Sequence, residues 1–260
     1  GMIDIFDAPK GYLEAERFRE YCAPVVPLLR IGKRTFFNDE VIKAGIDLSC
    51  YDKEDMKEVV IEWELAEKGR ALLEGNLHCG TVKTGNVYNV GNIEIPLGTI
   101  KKASALEIIL SVKDTEYRNR WNIWVYPDNE IADIPSDIFV TSSWNEAEKK
   151  LSEGRKVLLF ASADEMGKWR PGQFKTIFWS PVWLKRGVET MSVTADVSHP
   201  ALAGFPTERH TDWQWFNPLE NSITMCIDDL PHSFTPIVGM IDSFRKNQRL
   251  ANMLEAKIGD

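Results

Sequence analysis

Between residues 27 and 127, apolar and polar side chains alternate in a succession of short runs. Ile42, Ala44, Ile46 and Leu48 alternate with Lys43, Gly45 and Asp47, and Val59, Ile61, Trp63 and Leu65 with Val60, Glu62 and Glu64. The same period recurs at Ile93, Ile95 and Leu97, at Leu106, Ile108, Leu110 and Val112, and at Trp121, Ile123 and Val125. A period of two sends one face of a strand inward and leaves the other in water, as in antiparallel sheets with one wet side. With further strands at 28–31 and 71–77, about seven strands in roughly a hundred residues suit an immunoglobulin-like sandwich over 27–127. Trp63 is the candidate for its central core residue. No cysteine pair is spaced for an inter-sheet disulfide, so packing alone must hold the sheets together.

The flanks follow other rules. Residues 12–22 suit a short helix with Leu13, Phe18 and Tyr21 or Cys22 inward, and Pro24 and Pro27 then force an extended passage. Residues 1–26 therefore read as a strap, whose expected anchor is a domain outside this chain. A linker at 128–135 is bracketed by Pro127 and Pro135. Beyond it the pattern becomes strand (137–141), helix (145–154, stopped by Gly154) and a continuous apolar strand (156–161). More strands are expected at 190–195, 223–227 and 236–241, and a closing helix at 245–256 with Leu250, Met253 and Leu254 on one face. This predicts an open, flavodoxin-like α/β domain over 136–260. No strand follows the last helix, which suits a domain that continues past Asp260.

Residues 198–216 have neither period. They contain His199, His210, Trp213, Trp215 and two prolines, and read as a long structured loop.

Charge narrows the partners. A net charge of −8 with a pI near 5.2 argues against nucleic acid, and no apolar run reaches the length of a membrane span. Cys22, Cys50, Cys79 and Cys226 are widely spaced. They read as free thiols, with a Cys50–Cys79 bridge as the alternative.

Several residues invite a chemical reading. Asn145-Glu146 has the look of a glycosidase acid/base, but its place at a helix start explains it as a cap. Catalysis would also need a second carboxylate roughly 5 Å away on a barrel of about 250 residues, for which the chain has no room. Thr141, Ser142 and Ser143 sit in the first βα turn, where hydroxyls and N–H groups can cradle a phosphate; capping explains them as well. Cys226 lies in an apolar strand without the polar seat of a nucleophile. His210 and Asp212 offer two ligand types, with His199 eleven residues back, but at no recognised metal spacing. In Trp213-Gln214-Trp215 the indoles would share a side if the segment were extended. They could then stack on a pyranose ring while His210, Asp212 and Gln214 bond its hydroxyls, or else simply anchor the loop by packing. Trp169, Trp179, Trp183 and the Phe178–Pro181 stretch could wall the same cleft. No residue is expected to be catalytic, and no metal or cofactor is expected.

Phe18-Arg-Glu-Tyr-Cys-Ala-Pro-Val-Val-Pro-Leu-Leu-Arg30, Phe37-Asn-Asp-Glu40 and Tyr117-Arg-Asn-Arg-Trp121, with Phe178-Trp-Ser-Pro181, His199-Pro-Ala-Leu202 and Asp212-Trp-Gln-Trp215, carry a likeness. Together they resemble the region following the catalytic barrel in large bacterial family 2 glycoside hydrolases of the β-galactosidase type. The resemblance implies non-catalytic accessory domains beside an upstream barrel of the same polypeptide, in a periplasmic or cell-surface enzyme. It implies that both catalytic glutamates lie outside this chain, and it leaves room for oligosaccharide contact. The competing expectation is a stand-alone α/β enzyme or a flavin- or phosphate-binding protein.

Overall fold

The computed structural model describes residues 3–11, 13–128, 134–174, 190–243 and 246–258. The chain divides into two compact units, Gly1–Asp128 and Asn129–Asp260.

Unit 1 begins with a five-residue helix, α1 (Ala15–Arg19), followed by β1 (Val25–Arg30), β2 (Thr35–Phe37), β3 (Val41–Cys50) and β4 (Met56–Glu67). Then come β5 (Arg70–Val82), β6 (Asn86–Pro96), β7 (Ser104–Val112) and β8 (Arg118–Tyr126). They form one sheet in the order β1-β3-β6 and a second in the order β2-β8-β7-β4-β5. All neighbours are antiparallel except β2 and β8.

Alternation decides what lies between the sheets. Ile42, Ile46 and Leu48 from β3, Ile61 and Leu65 from β4, and Leu106, Ile108 and Leu110 from β7 are fully buried in one shared cluster. Each such side chain removed from water contributes roughly 1.5–3 kcal/mol. Trp63 is half-buried and packs at the cluster's margin opposite Gly75, where a Cβ would lie 2.6 Å from the indole. Cys50 is buried and Cys79 half-buried, and both are free, so the alternative of a bridge between them does not hold. Burial pushes the Cys79 thiol up.

The strap finds its anchor inside its own unit. The Glu20 carboxylate is buried and pairs with Arg17, with Arg118 at 3.3 Å and with Arg120 at 3.1 Å, the last two on β8. Arg17 also donates to the Arg120 carbonyl oxygen at 3.3 Å. This contact ties the strap to β8 within unit 1.

Unit 2 opens with β9 (Ile138–Thr141), α2 (Trp144–Ser152) and β10 (Lys156–Leu159), in which the two strands pair in parallel. Among the described residues this βαβ element has two strands. The rest is β11 (Trp169–Pro171), β12 (Thr190–Ala195), β13 (Ile223–Cys226), β14 (Val238–Asp242) and β15 (Arg249–Met253). These make an antiparallel sheet in the order β11-β13-β15-β14-β12.

The fold expected from sequence, an immunoglobulin-like sandwich followed by an open flavodoxin-like α/β domain, is thus corrected to two β-rich units. Among the described residues α1 and α2 are the only α-helices longer than four residues, too few to cover a parallel sheet. The helix expected over 245–256 is instead β15, flanked on both sides by strands. Leu250 and Ala251 are adjacent and both buried, which suits a strand covered on both faces. The apolar run at 156–161 is only half covered: Leu158 and Phe160 are exposed, while Val157 and Leu159 are partly buried.

Candidate functional site

The 198–216 segment is held to β12 at several points. The Ala195 amide donates to the Arg209 carbonyl oxygen at 3.0 Å, the Val193 amide to Thr211 Oγ1 at 2.7 Å, and Thr194 bridges His210. At its start the Ser198 hydroxyl and amide both donate to Asp196 Oδ1, which holds that carboxyl below the usual aspartate range. His199 Nδ1 accepts from the Ala201 amide at 3.2 Å, so its proton sits on Nε2, 3.0 Å from Glu255 Oε2. Both ring nitrogens are therefore used within the chain, and Pro200–Leu202 continues as a 3₁₀ turn.

The Trp-Gln-Trp stretch is not extended. Asp212 caps a 3₁₀ turn over Trp213–Trp215, its Oδ1 accepting from the Trp213 amide at 2.7 Å. About three residues per turn puts the two indoles on different sides. Trp215 is 6% exposed: its ring meets Phe205 edge-on at 4.8 Å, and its Nε1 donates to Thr207 Oγ1 at 2.9 Å. Trp213 is 51% exposed. Its ring centroid lies 5.2 Å from Phe174 and 6.3 Å from Phe216, which meet each other edge-on at 5.6 Å.

Of the residues read as carbohydrate contacts, Trp213 and His210 are exposed and Asp212 is half-buried at its cap. Gln214 and Trp215 face the interior. The alternation argument missed Phe174, which lies some forty residues upstream and reaches the cluster only through the fold. Trp169 is exposed on β11, whereas Phe178–Pro181 and Trp183 lie outside the described residues.

The Thr141–Ser143 turn is occupied by the chain's own groups. Ser143 accepts from the Glu146 amide at 3.4 Å and Thr141 Oγ1 donates to Glu146 Oε2 at 2.6 Å, while Glu165 Oε1 accepts from the Trp144 amide at 3.0 Å. Two carboxylates already lie on the donors that a phosphate would need, and like charge repels it. Glu146 itself, part of the Asn145-Glu146 pair, serves this cap. Cys226 Sγ donates to Asp228 Oδ2 and accepts from Gln248 Nε2, both at 3.4 Å. Among the described residues no three of His, Cys, Asp and Glu gather as a metal site, and no helix is long and apolar enough to cross a membrane.

Comparison with known proteins matches each unit to a separate domain model. Residues 139–260 match a domain of unknown function (DUF8487), and residues 40–127 match another (DUF8488). No curated protein sequence matches the chain. Among solved structures, the sporulation control protein Spo0M from Bacillus subtilis is similar over 39% of this chain and 48% of its own, with 12% identity and a TM-score of 0.29. A β-glucosidase involved in saponin metabolism from intestinal bacteria is similar over 38% of this chain, with 15% identity and a TM-score of 0.28. The chain spans about half of the first protein and 15% of the second.

Proposed function

We propose that this chain is a pair of non-catalytic, β-rich accessory modules of a glycoside hydrolase, and that unit 2 contacts carbohydrate through Trp213. The sequence likeness to a post-barrel region supports the first part. A catalytic barrel elsewhere in the polypeptide is the partner this implies, with a periplasmic or cell-surface setting.

One observation carries the second part: Trp213 keeps half its surface in solvent while Phe174 and Phe216 brace its ring and Trp215 is locked in the core. A flat indole held by neighbouring rings loses little freedom when a pyranose ring lies on it. His210 and Asp212, on the same segment, offer polar groups for hydroxyls.

Titrating galactosides and plant oligosaccharides while following tryptophan emission tests this contact. A saturable change that disappears in Trp213→Ala supports it, and a flat response at millimolar sugar removes it.

A further inference from the structure

We propose that a groove beside α2 in unit 2 binds a small organic cation, an ammonium group carried on an apolar chain. The site is separate from Trp213 and does not rest on the carbohydrate reading. Its volume is about 520 Å³, within the range of small-molecule sites, roughly 300–1,000 Å³. Helical spacing builds one wall. Trp144, Ala147, Glu148 and Leu151 fall at i, i+3, i+4 and i+7, so they share one face of α2, and that face lines the groove. Val157 and Leu159, alternate residues of β10, line it from the strand pair. Ile258 adds apolar surface from beyond β15. α2 buries only Ala147, whose methyl group leaves this space unfilled.

Glu148 breaks the pattern of that wall. The inward stripe of a surface helix is ordinarily apolar, yet a position in the middle of this one is a carboxylate. Among the described residues it is the only charged side chain lining the groove. Its Oε1 accepts from the Trp144 Nε1–H at 3.1 Å, which pins the indole along the helix. Glu165 Oε1 accepts from the Trp144 amide at 3.0 Å, so a second carboxylate flanks the same residue and offsets the positive end of α2. Nearby lysines are engaged elsewhere, Lys150 with Glu153 and Lys156 with Asp137. Lys257, between the two tail residues that line the groove, lies instead on a separate pocket with Lys156 and His199.

These features specify the guest. Leu151, Val157, Leu159 and Ile258 offer an alkyl or aryl body a surface to bury. Trp144 keeps 47% of its surface in solvent, and the electron-rich face of an indole attracts a cation. The two carboxylates beside it add Coulomb attraction for the same charge. An anion would meet repulsion from both and find no basic side chain on the walls. A neutral guest would use the walls alone.

Calorimetric titration of the intact chain with hexyltrimethylammonium, 1-hexanol and hexanoate, which share one chain length, tests the assignment. The cation should saturate at millimolar concentration and bind tightest, and hexanoate should bind weakest. Glu148→Gln keeps an acceptor for the indole N–H and removes the charge. It should weaken the cation roughly two- to fivefold and leave hexanol unchanged. Trp144→Leu keeps an apolar wall, removes the aromatic face and should weaken the cation by a similar factor. Both residues are exposed, and should Trp144→Leu misfold, Glu148→Gln alone decides. Equal affinity for the three guests overturns the proposal. So does a cation affinity that Glu148→Gln leaves unchanged, or no saturation by the cation at millimolar concentration.

Discussion

Trp213 and Trp215 are two residues apart and have opposite fates, decided by Asp212. Its cap starts the 3₁₀ turn, and the turn sends one indole to Thr207 and Phe205 and the other to the surface. Replacing Trp215 with alanine should cost about 3–5 kcal/mol in urea unfolding, through the cavity it opens. Trp213→Ala should cost less, about 1–2 kcal/mol, since half its ring is already in solvent and the loss is confined to its contacts with Phe174 and Phe216. The sequence showed that this stretch is aromatic, but not that it turns: the sharing of a side rested on an extended backbone. Gly75 is a second single-residue control. Any side chain there meets the Trp63 indole at 2.6 Å, so Gly75→Ala should destabilise by about 1–3 kcal/mol, measured the same way. Alternation brought Trp63 inward; which residue faces it across the strands is a matter of register, which periodicity does not encode.

At the scale of elements, strands with one wet face were legible and strands covered on both faces were not. β3 and β7 alternate cleanly because one side of each meets the core, and their buried positions are those the pattern picked. β15 buries the adjacent Leu250 and Ala251 and so does not alternate cleanly, and Leu250, Met253 and Leu254 imitated a helix stripe. The strap shows a further limit, because a lone glutamate in a charged run reads as solvated until three arginines close on it. Glu20→Gln should lower stability by about 2–3 kcal/mol, below the usual cost of breaking a buried pair, since the arginines keep a third or more of their side chains in solvent. Asp47 on β3 ties a whole sheet. It accepts from Asn89 on β6 at 3.0 Å and from Arg30 on β1 at 2.7 Å, and these bonds hold its carboxyl below the ordinary aspartate range. A carboxyl with a lowered folded pKa stabilises above the unfolded value, near pH 4, and that contribution is lost as pH falls through the folded pKa. Asp47→Asn should therefore flatten the acid side of the stability profile, as followed by circular dichroism between about pH 5 and pH 2.

For the molecule as a whole, the period of two over residues 27–127 and the mixed pattern beyond them were plain, yet the second pattern pointed to the wrong architecture. One genuine βαβ element, β9-α2-β10, was extrapolated to a full doubly wound sheet, although local pattern cannot say how many copies of a unit follow. The proposed role makes a simple demand: the purified chain should release no nitrophenol from nitrophenyl glycosides, and turnover that survives repurification would end the accessory reading. The position of β8 carries a consequence in time. It is the last strand of unit 1, yet β2 is zipped alongside it and Glu20 is clamped to it. A ribosome must therefore emit almost the whole of this unit before Glu20 and β2 can reach their partner, although β1 can pair with β3 well before then. Such distant closure makes for slow refolding, on the millisecond-to-second scale, with the α1 strap and β2 the last pieces to lock.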